Sequence, residues 1–459
     1  MPLNAAQEYK ITEATIFAER LEDEYNITKY IGELSFYEDM EKPYVTAQIV
    51  CMDDLGVFDE IKIRGSEQIR FTVKSAEGQP DGELSMTIVL NIVSIIQTNK
   101  VGDKSEIYHI NCISPHAFRD ANTKISRSYT GKLELIAEAI LKNHLDVDVD
   151  VSYMGTWKSM QQPVKVIVPY LSPLESVDWL MSRATTLIGS PFFVWQTIYD
   201  QVEGKDKLRF GDLEHMMNVD TFNTGLPLTY SAAVASSVRD KPQADQTGIK
   251  SIKLENIQDT LKMVHEGAIG SNLTITDTFT GQDVTRHYAI NEHLERLERM
   301  QVIPYGANQN VYDDKQELTF GGTTRPIHEW SAREFSSITS YGTYGSVNSY
   351  HDAQDATESL NKLRSPAVKS MFNKNMFDIV IPGIVFFSAL GKGNSGVTVG
   401  DTVDIDFLSS NTDEDDGVSR NEEMSGKYLI YRCRNIFTDT THEIVVTISK
   451  IATKGTRTV

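Results

Sequence analysis

The stretch that decides the fold class reads VTVGDTVDIDF over residues 397–407, then an acidic segment, then GKYLIYRCRNIFTDTTHEIVVTISK over residues 426–450. Apolar and polar residues alternate over 403–407, which is typical of a strand with one buried face and one wet face. Two further strand-like segments, 428–437 and 443–451, are separated by a polar stretch short enough for a hairpin turn. The pattern therefore predicts a C-terminal β unit.

The N-terminal region shows a similar order of features. An alternating segment with an internal glycine, IKIRGSEQIRFTV over 61–73, precedes a long apolar segment over 84–96 and a strand-like segment over 107–113. Both regions contain a glycine-led strand, a loop, a long strand, a turn and a strand. They lie about 340 residues apart and indicate a weak two-copy repeat. Coincidence among β-rich segments is the alternative.

Length, charge and cysteine content limit the class of protein. The chain has 459 residues, which fits three or four domains. Its net charge of −20 argues against a basic surface for nucleic acid and is explained by solubility, or by a surface that must repel polyanions. Cys51, Cys112 and Cys433 lie in or near predicted strands, so we expect reduced core residues. Without a bilayer-length apolar segment or a signal-peptide pattern, we expect folding in a cytoplasm.

Residues 1–115 are predicted to be β throughout, because short apolar segments alternate with glycine- and proline-marked turns. Several short strands with regular turns favour a small barrel or sandwich. The candidate strands are 14–21, 31–37, 45–51, 61–63, 69–74, 84–96 and 107–113.

Residues 116–212 are predicted to form an α+β domain. Ser172-Pro-Leu-Glu175 combines an N-cap serine, a proline at the first helical position and the glutamate of a capping box, so a helix should start there and run to about residue 187. The other predicted elements are a helix over 131–144, strands over 147–151 and 164–169, and a hairpin of 191–199 with 207–210.

The rest of the chain is predicted as three parts. Residues 213–258 start a second barrel or form a connector, 259–375 form an inserted peripheral domain, and 376–459 form the second barrel domain. Within the peripheral domain we expect helices over 284–300 and near 352–372, the second kinked or split at Pro366. The polar, tyrosine-rich segment 305–350 is predicted to contact something, because so long a structureless connection is unusual.

Sequence motifs give little support for a catalytic or cofactor site. The glycines of 391–396 match GxGxxG, but a strand pattern follows them where a dinucleotide site needs a helix, so a glycine turn is favoured. The sequence contains no HExxH, no zinc-type Cys/His spacing and no GxSxG. The acidic segment 413–416 lacks the EF-hand spacing and is interpreted as a solvated loop. We therefore expect no catalytic residue, no metal and no cofactor.

Asp401, Asp404 and Asp406 differ from the other carboxylates, because the last two occupy the polar face of a predicted strand and Asp401 lies beside it. Most such strands simply face water. If this strand lines a pore, the same face becomes an acidic lining.

Two β units that flank an α+β domain resemble the baseplate central hub protein of contractile-tailed bacteriophages, and the N-terminal part of type VI secretion spike proteins is related in architecture. The resemblance covers most of the chain as a pattern of elements. The segments that carry it are 65–73, 84–114, 172–200, 267–277 and 396–450.

The resemblance implies a mainly β structural protein with α+β parts, in which both β units are tube-like barrels. Three chains would form a ring of six alternating barrels that joins a hexameric tail tube to a trimeric spike. The implied partners are further copies of the chain, the spike, tail-tube or tube-initiator proteins and baseplate wedge proteins. The implied location is the virion tail baseplate, assembled in the host cytoplasm.

The resemblance also gives the acidity a hypothetical role. Viral DNA would pass through the ring without specific binding, and a lumen lined by Asp401, Asp404 and Asp406 would leave it mobile, because phosphate binding requires cations. No membrane insertion is implied. The alternatives that remain are a tail-associated hydrolase of the cell wall, a hub or spike component of a related contractile injection system, and a host-surface binding module.

Overall fold

The architecture is that of a computed structural model and is mainly β with short helices, as the sequence predicts. The structure describes residues 9–65, 67–75, 85–101, 105–155, 164–186, 189–202, 205–223, 227–230, 248–254, 260–277, 281, 283–299, 317–331, 333–339, 360–372, 376–383, 397–408, 421, 424–438 and 442–450. The GxGxxG segment 391–396 and the acidic segment 413–416 lie outside these residues, as do parts of 305–350. No helix within the described ranges is both long and apolar enough to cross a membrane.

The first β unit, defined here as strands β1 to β7, begins the fold. Its strands are β1 (Tyr9–Phe17), β2 (Tyr25–Asn26), β3 (Ile31–Asp39), β4 (Lys42–Asp53), β5 (Gln68–Ser75), β6 (Ser85–Val101) and β7 (Ser105–Ile113). They lie in the order β3-β4-β7-β6-β5-β1-β2, and all neighbours are antiparallel. The segment that contains β2 and β3 thus pairs with β1 at its start and with β4 at its end.

The predicted strand over 61–63 is wrong, because Ile61 ends a short helix, α1 (Val57–Ile61). The Asp53 carboxylate organises the turn before it and accepts the N–H of Phe58 at 3.0 Å. Phe58 and Ile61 are both buried, and Lys62 ends the helix with a φ of 49°. The apolar residues of this segment therefore reflect helix packing and not strand alternation.

The α+β domain follows. Its elements are α2 (Pro115–Asn122), β8 (Ser128–Gly131), α3 (Leu133–Ile140), a π-helical turn (Leu141–Leu145), β9 (Asp148–Tyr153), β10 (Val164–Ile167), α4 (Pro173–Met181), β11 (Phe192–Trp195), β12 (Gln201–Val202), β13 (Lys205–Asp212) and α5 (Leu213–Asn218). Strands β11 and β13 are antiparallel, which confirms the predicted hairpin. The helices pack on this sheet around a separate core that contains Ile140, Leu180 and Phe210.

The predicted capping box is confirmed at the start of α4. The Ser172 hydroxyl accepts the N–H of Glu175 at 3.3 Å, and the Glu175 carboxylate accepts the N–H of Ser172 at 2.9 Å. The helix ends at Met181, earlier than predicted. Thr185 instead forms an antiparallel β-bridge with Pro191, so the chain is extended and no longer helical at this residue.

Two strands and a peripheral domain come next. The elements are β14 (Leu228–Tyr230), β15 (Ser251–Leu254), α6 (Thr260–His265), β16 (Gly270–Asp277), β17 (Asp283–Ala289), α7 (Ile290–Arg299), β18 (Glu317–Phe320), β19 (Thr323–Pro326), β20 (Arg333–Thr339) and α8 (Asn361–Phe372). The predicted helix over 284–300 is wrong in its first half, because β17 pairs residue by residue with β16. Helix α8 runs through Pro366 without the predicted split.

The second β unit, defined here as β14, β15 and β21 to β24, completes the chain. The remaining strands are β21 (Met376–Pro382), β22 (Thr402–Phe407), β23 (Gly426–Thr438) and β24 (His442–Ser449). The order is β15-β21-β24-β23-β22-β14, with a parallel pairing only between β14 and β22 among these neighbours. A β-bridge between Thr229 and Gly248 brings the segment before β15 against β14.

The two units are joined edge to edge. Strand β23 pairs with β3 in antiparallel fashion, from Arg432 opposite Asp39 to Thr438 opposite Glu33. All the strands of both units therefore belong to one sheet, and they share one large hydrophobic core. The three cysteines are free and buried in this core, which confirms their predicted role.

Candidate assembly interface

The two β units have the same chain order and the same neighbour order. Going along the chain, β1, β3, β4, β5, β6 and β7 correspond to β14, β15, β21, β22, β23 and β24. In both units the fourth, fifth and sixth of these strands form an antiparallel meander, and the sixth pairs with the third. The repeat predicted from the sequence is therefore present as a repeat of topology.

The hydrogen bonds at the start of each meander also correspond. Ile92 N–H donates to the Glu67 carbonyl at 3.0 Å, and Ile430 N–H donates to the Asp401 carbonyl at 2.9 Å. One residue later, the register against the next strand shifts in both units, between Ile92 and Ser94 in β6 and between Ile430 and Arg432 in β23. A β-bulge is a specific local feature. Its recurrence at the corresponding place makes coincidence a poor explanation of the repeat.

Two differences distinguish the units. Strand β1 is antiparallel to β5, whereas β14 is parallel to β22. The turn between β3 and β4 contains only Met40 and Glu41, whereas the whole peripheral domain is inserted between β15 and β21. The peripheral domain thus replaces a two-residue hairpin turn of the other unit.

The contact between β3 and β23 is well packed and partly ionic. Arg434 lies 3.2 Å from the Glu33 carboxylate and stacks over the Tyr37 ring at 5.1 Å. Phe36 and Phe437 meet edge to face with ring centroids 6.1 Å apart. The strand pairing therefore combines a main-chain ladder with apolar and charged side-chain contacts.

Glu38 lies where the first unit, the second unit and the α+β domain meet, a place called here the three-way junction. Its carboxylate accepts the N–H of Ile198 at 2.9 Å and the hydroxyl of Thr398 at 2.6 Å. Burial raises the pKa of this carboxyl from 4.5 to about 7, and the hydrogen bonds from Ile198, Thr398 and Val399 oppose part of that rise. Sequence analysis missed Glu38, although Leu34, Phe36 and Glu38 alternate and so share the inward face of β3.

Trp195 fixes the second unit on the α+β domain. Its indole N–H donates to the Val399 carbonyl at 2.9 Å, and the side chain is fully buried. Gly400 has a φ of 90°, and a Cβ at this residue would lie 2.6 Å from the Trp195 ring. Only glycine satisfies both the left-handed backbone and the close approach of the indole.

The predicted acidic residues do not lie in one common environment. Asp401 lies near the buried pair of Arg209 and Asp200, whose side chains are 2.7 Å apart. Burial raises the pKa of Asp401 to about 6, although the Arg209 charge lowers it. Asp401 is thus part of the contact with the α+β domain.

Asp404 and Asp406 are half-buried on β22, as the alternation predicts. Asp404 lies opposite Lys427, and its counterpart on β5 is Arg70, which forms ion pairs with Glu13 and Glu24. The acidic face is therefore not repeated in the first unit. A channel lined by these carboxylates stays a prediction.

The described part of the chain offers no arrangement that suggests metal chemistry: no group of three or more His, Cys, Asp or Glu side chains there could hold an ion. A cavity of about 180 Å³ lies in the peripheral domain. It is lined by Glu266, Gly267, Arg333, Phe335, Leu363 and Ala367 among others.

No family model matches the chain, and no curated protein matches it. Similar solved structures include the 43 kDa tail protein of prophage MuSo2 from Shewanella oneidensis, with 10% identity, a TM-score of 0.49 and coverage of 96% of this chain and 98% of that chain. A tail protein from Neisseria meningitidis has 11% identity, a TM-score of 0.47 and coverage of 96% of each chain. A type VI secretion component of E. coli, itself similar to two T4 tail proteins, has 9% identity, a TM-score of 0.39 and coverage of 97% and 79%. The first two neighbours are tail proteins, and the third is a component of a type VI secretion system.

Proposed function

We propose that this chain is a structural hub subunit of a phage tail baseplate. Three copies form a ring that joins a hexameric tail tube to a trimeric spike and leaves a channel for DNA. In this proposal each β unit is one tube-like barrel, and the ring contains six of them in alternation.

The observation that carries the proposal is the repeat of one strand topology, including its bulge, in a single chain. A trimer of a chain with two similar units presents six similar units in a ring. Such a ring is threefold by sequence and close to sixfold in shape, so it can face a threefold partner on one side and a sixfold partner on the other. A duplication within the chain therefore serves this task directly.

The direct pairing of β3 with β23 also supports the proposal, because the two units already lie side by side in a continuous sheet within one chain. A ring needs the same side-by-side relation between chains. The net charge of −20 suits a protein past which DNA must slide, since phosphate binding requires cationic side chains.

The role is non-enzymatic in this proposal. Purified protein incubated with bacterial cell wall should release no soluble fragments above the level of a heat-denatured control. Release that is saturable and is lost on unfolding would favour the alternative, a tail-associated hydrolase.

Mass measurement in solution tests the hub directly. We expect the purified chain to reach three times the monomer mass of 51.5 kDa, alone or together with a trimeric spike. A chain that stays monomeric under both conditions contradicts the proposal.

A further inference from the structure

The second half of β6 has an unpaired edge. Residues up to Asn91 pair with β5, and Ile92 still donates to Glu67, but within the described residues the segment 93–101 pairs only with β7. The corresponding half of β23 is paired on both edges, with β24 and with β3. An exposed edge of this kind is a template for another strand.

Two exposed apolar side chains lie on this edge. Val93 is 51% exposed and Ile96 is 53% exposed. By register, Val93 corresponds to Tyr431, which is fully buried, and Ile96 corresponds to Arg434, which is covered in part by Tyr37 of β3. In the second unit Arg434 lies against β3, and Tyr431 contacts Phe193 and Glu41. The corresponding positions of the first unit, Ile96 and Val93, are exposed and apolar.

A matching edge lies on β15. By their pairing with β21 and β4, Ser251–Leu254 correspond to residues 33–36 of β3. Residues 33–36 use their other edge to pair with β23, whereas Ser251–Leu254 pair only with β21 among the described residues. In each chain, therefore, β3 and β23 pair with each other. The corresponding edges of β15 and β6 pair with no further strand among the described residues.

We propose that β15 of one copy pairs in antiparallel fashion with the second half of β6 in the next copy, repeating the contact between β3 and β23. The same register places Leu254 opposite Gln97 and, beyond the second register shift of β6 between Gln97 and Asn99, Ser251 opposite Val101. The occupant of each edge is a second copy of this chain. This inference rests on the proposed ring and names the edges that build it.

The contact is head to tail, because one copy contributes β15 and the other contributes β6. Such an interface produces a closed ring when its rotation closes, and an open filament when it does not. Within each chain the contact between β3 and β23 joins two neighbouring β units in the same way. A ring of three chains therefore contains six equivalent strand contacts, three within chains and three between chains.

Disulfide cross-linking tests the proposed register between β15 and β6 directly. The double variant Ser251→Cys with Val101→Cys should form intermolecular disulfides under mild oxidation, with products up to a covalent trimer, because directly opposed antiparallel residues suit disulfide geometry. The positive control is Glu33→Cys with Thr438→Cys, the corresponding pair within one chain, which should cross-link without any increase in mass. Each single variant should form no disulfide-linked trimer.

A charge placed on the edge tests the same contact without oxidation. Ile96→Lys should abolish the trimer at a concentration at which the unmodified chain is trimeric. The cation of Arg434 at the corresponding position has the Glu33 carboxylate beside it, whereas the uncharged Ser251 takes the place of Glu33 in the contact between chains. Ile167→Lys is the matched control, because Ile167 is also a strand isoleucine and is 61% exposed, but lies on β10 of the α+β domain. Far-ultraviolet circular dichroism and the unfolding midpoint of both variants establish that they are folded.

The outcomes separate this inference from the proposed function. Intermolecular cross-links together with loss of the trimer in Ile96→Lys support both. A trimer that persists in Ile96→Lys, with no cross-link between residues 251 and 101, overturns the edge assignment and leaves the hub standing. An unmodified chain that never assembles overturns both.

Discussion

The two β units repeat one strand order, but they treat the same edge differently. In the second unit the far half of β23 pairs with β24 and with β3, its Tyr431 is buried, and its Arg434 pairs with Glu33 of β3. In the first unit the far half of β6 carries two exposed apolar residues and pairs only with β7 among the described residues. In our proposal, the chain satisfies one of two equivalent contacts internally and keeps the other for a neighbouring copy.

The largest expected effect concerns the attachment of the second unit to the α+β domain. Trp195→Ala should lower the free energy of unfolding by about 4 kcal/mol, because it removes a fully buried indole and leaves the Val399 carbonyl without its donor. Urea unfolding followed by intrinsic fluorescence and circular dichroism measures this. Trp179→Ala, which removes a half-buried indole on α4, is the control and should cost clearly less. Equal losses would mean that Trp195 has no special role in holding the units together.

The second prediction concerns the protonation of the three-way junction. Because the folded pKa of Glu38 is raised from 4.5 to about 7, the folded state binds the proton more tightly than the unfolded state. The contribution of Glu38 to stability is therefore greatest below about pH 4.5, falls as pH rises towards 7, and is level above it, with a difference of up to about 3 kcal/mol.

Glu38→Gln should remove this component of the pH dependence. The measurement is the free energy of unfolding of both proteins at several pH values between 4.5 and 8, with the variant gaining relative to the parent as pH rises. Glu13→Gln, at an exposed ion pair of the first unit, is the control. Parallel profiles for parent and Glu38→Gln would show that the junction carboxyl does not titrate in this range.

The third prediction compares the glycines that lead the two meanders. Gly65 and Gly400 both have a left-handed backbone, but a Cβ at Gly65 meets nothing within 4 Å, whereas one at Gly400 meets the Trp195 ring. Gly65→Ala should cost about 1 kcal/mol from backbone strain. Gly400→Ala should cost about 2 kcal/mol more, because the indole must move. Similar losses in thermal and urea unfolding would contradict the close approach.

The smallest expected effect is at the strand contact within the chain. Arg434→Ala should lower stability by about 1 kcal/mol or less, since its ion pair with Glu33 is partly exposed. A double-mutant cycle with Glu33→Ala isolates the pair. The ring should persist in both variants, because the main-chain ladder between β3 and β23 is unchanged. Loss of the ring would mean that the intrachain contact is set by this ion pair.

The sequence was sufficient to predict secondary structure where neighbouring residues determine it. The alternation over 403–407, the capping box at Ser172 and the long strand that became β6 all depend on neighbouring residues, and each was predicted. Residues 61–63 and 284–289 were assigned wrongly, because short apolar segments look alike whether they pack as helix or strand.

The interface could be predicted only in part. The repeat was visible from glycines and alternating strands, but the pairing of β3 with β23 joins residues about 400 positions apart, and no local signal specifies it. The role of Glu38 depends on two other segments that reach it through the fold, Ile198 and Thr398. The unpaired edge of β6 suggests an interface only after comparison with the corresponding edge of β23, which pairs with β3.

Imaging of single particles by electron microscopy tests the central claim most directly. The account predicts a ring with threefold symmetry and six similar lobes around a central channel. The contact between the two lobes of one chain should resemble the contact between lobes of neighbouring chains. A monomer that forms no ring in the presence of a trimeric spike, or a ring whose subunits each contribute only one lobe, would contradict it.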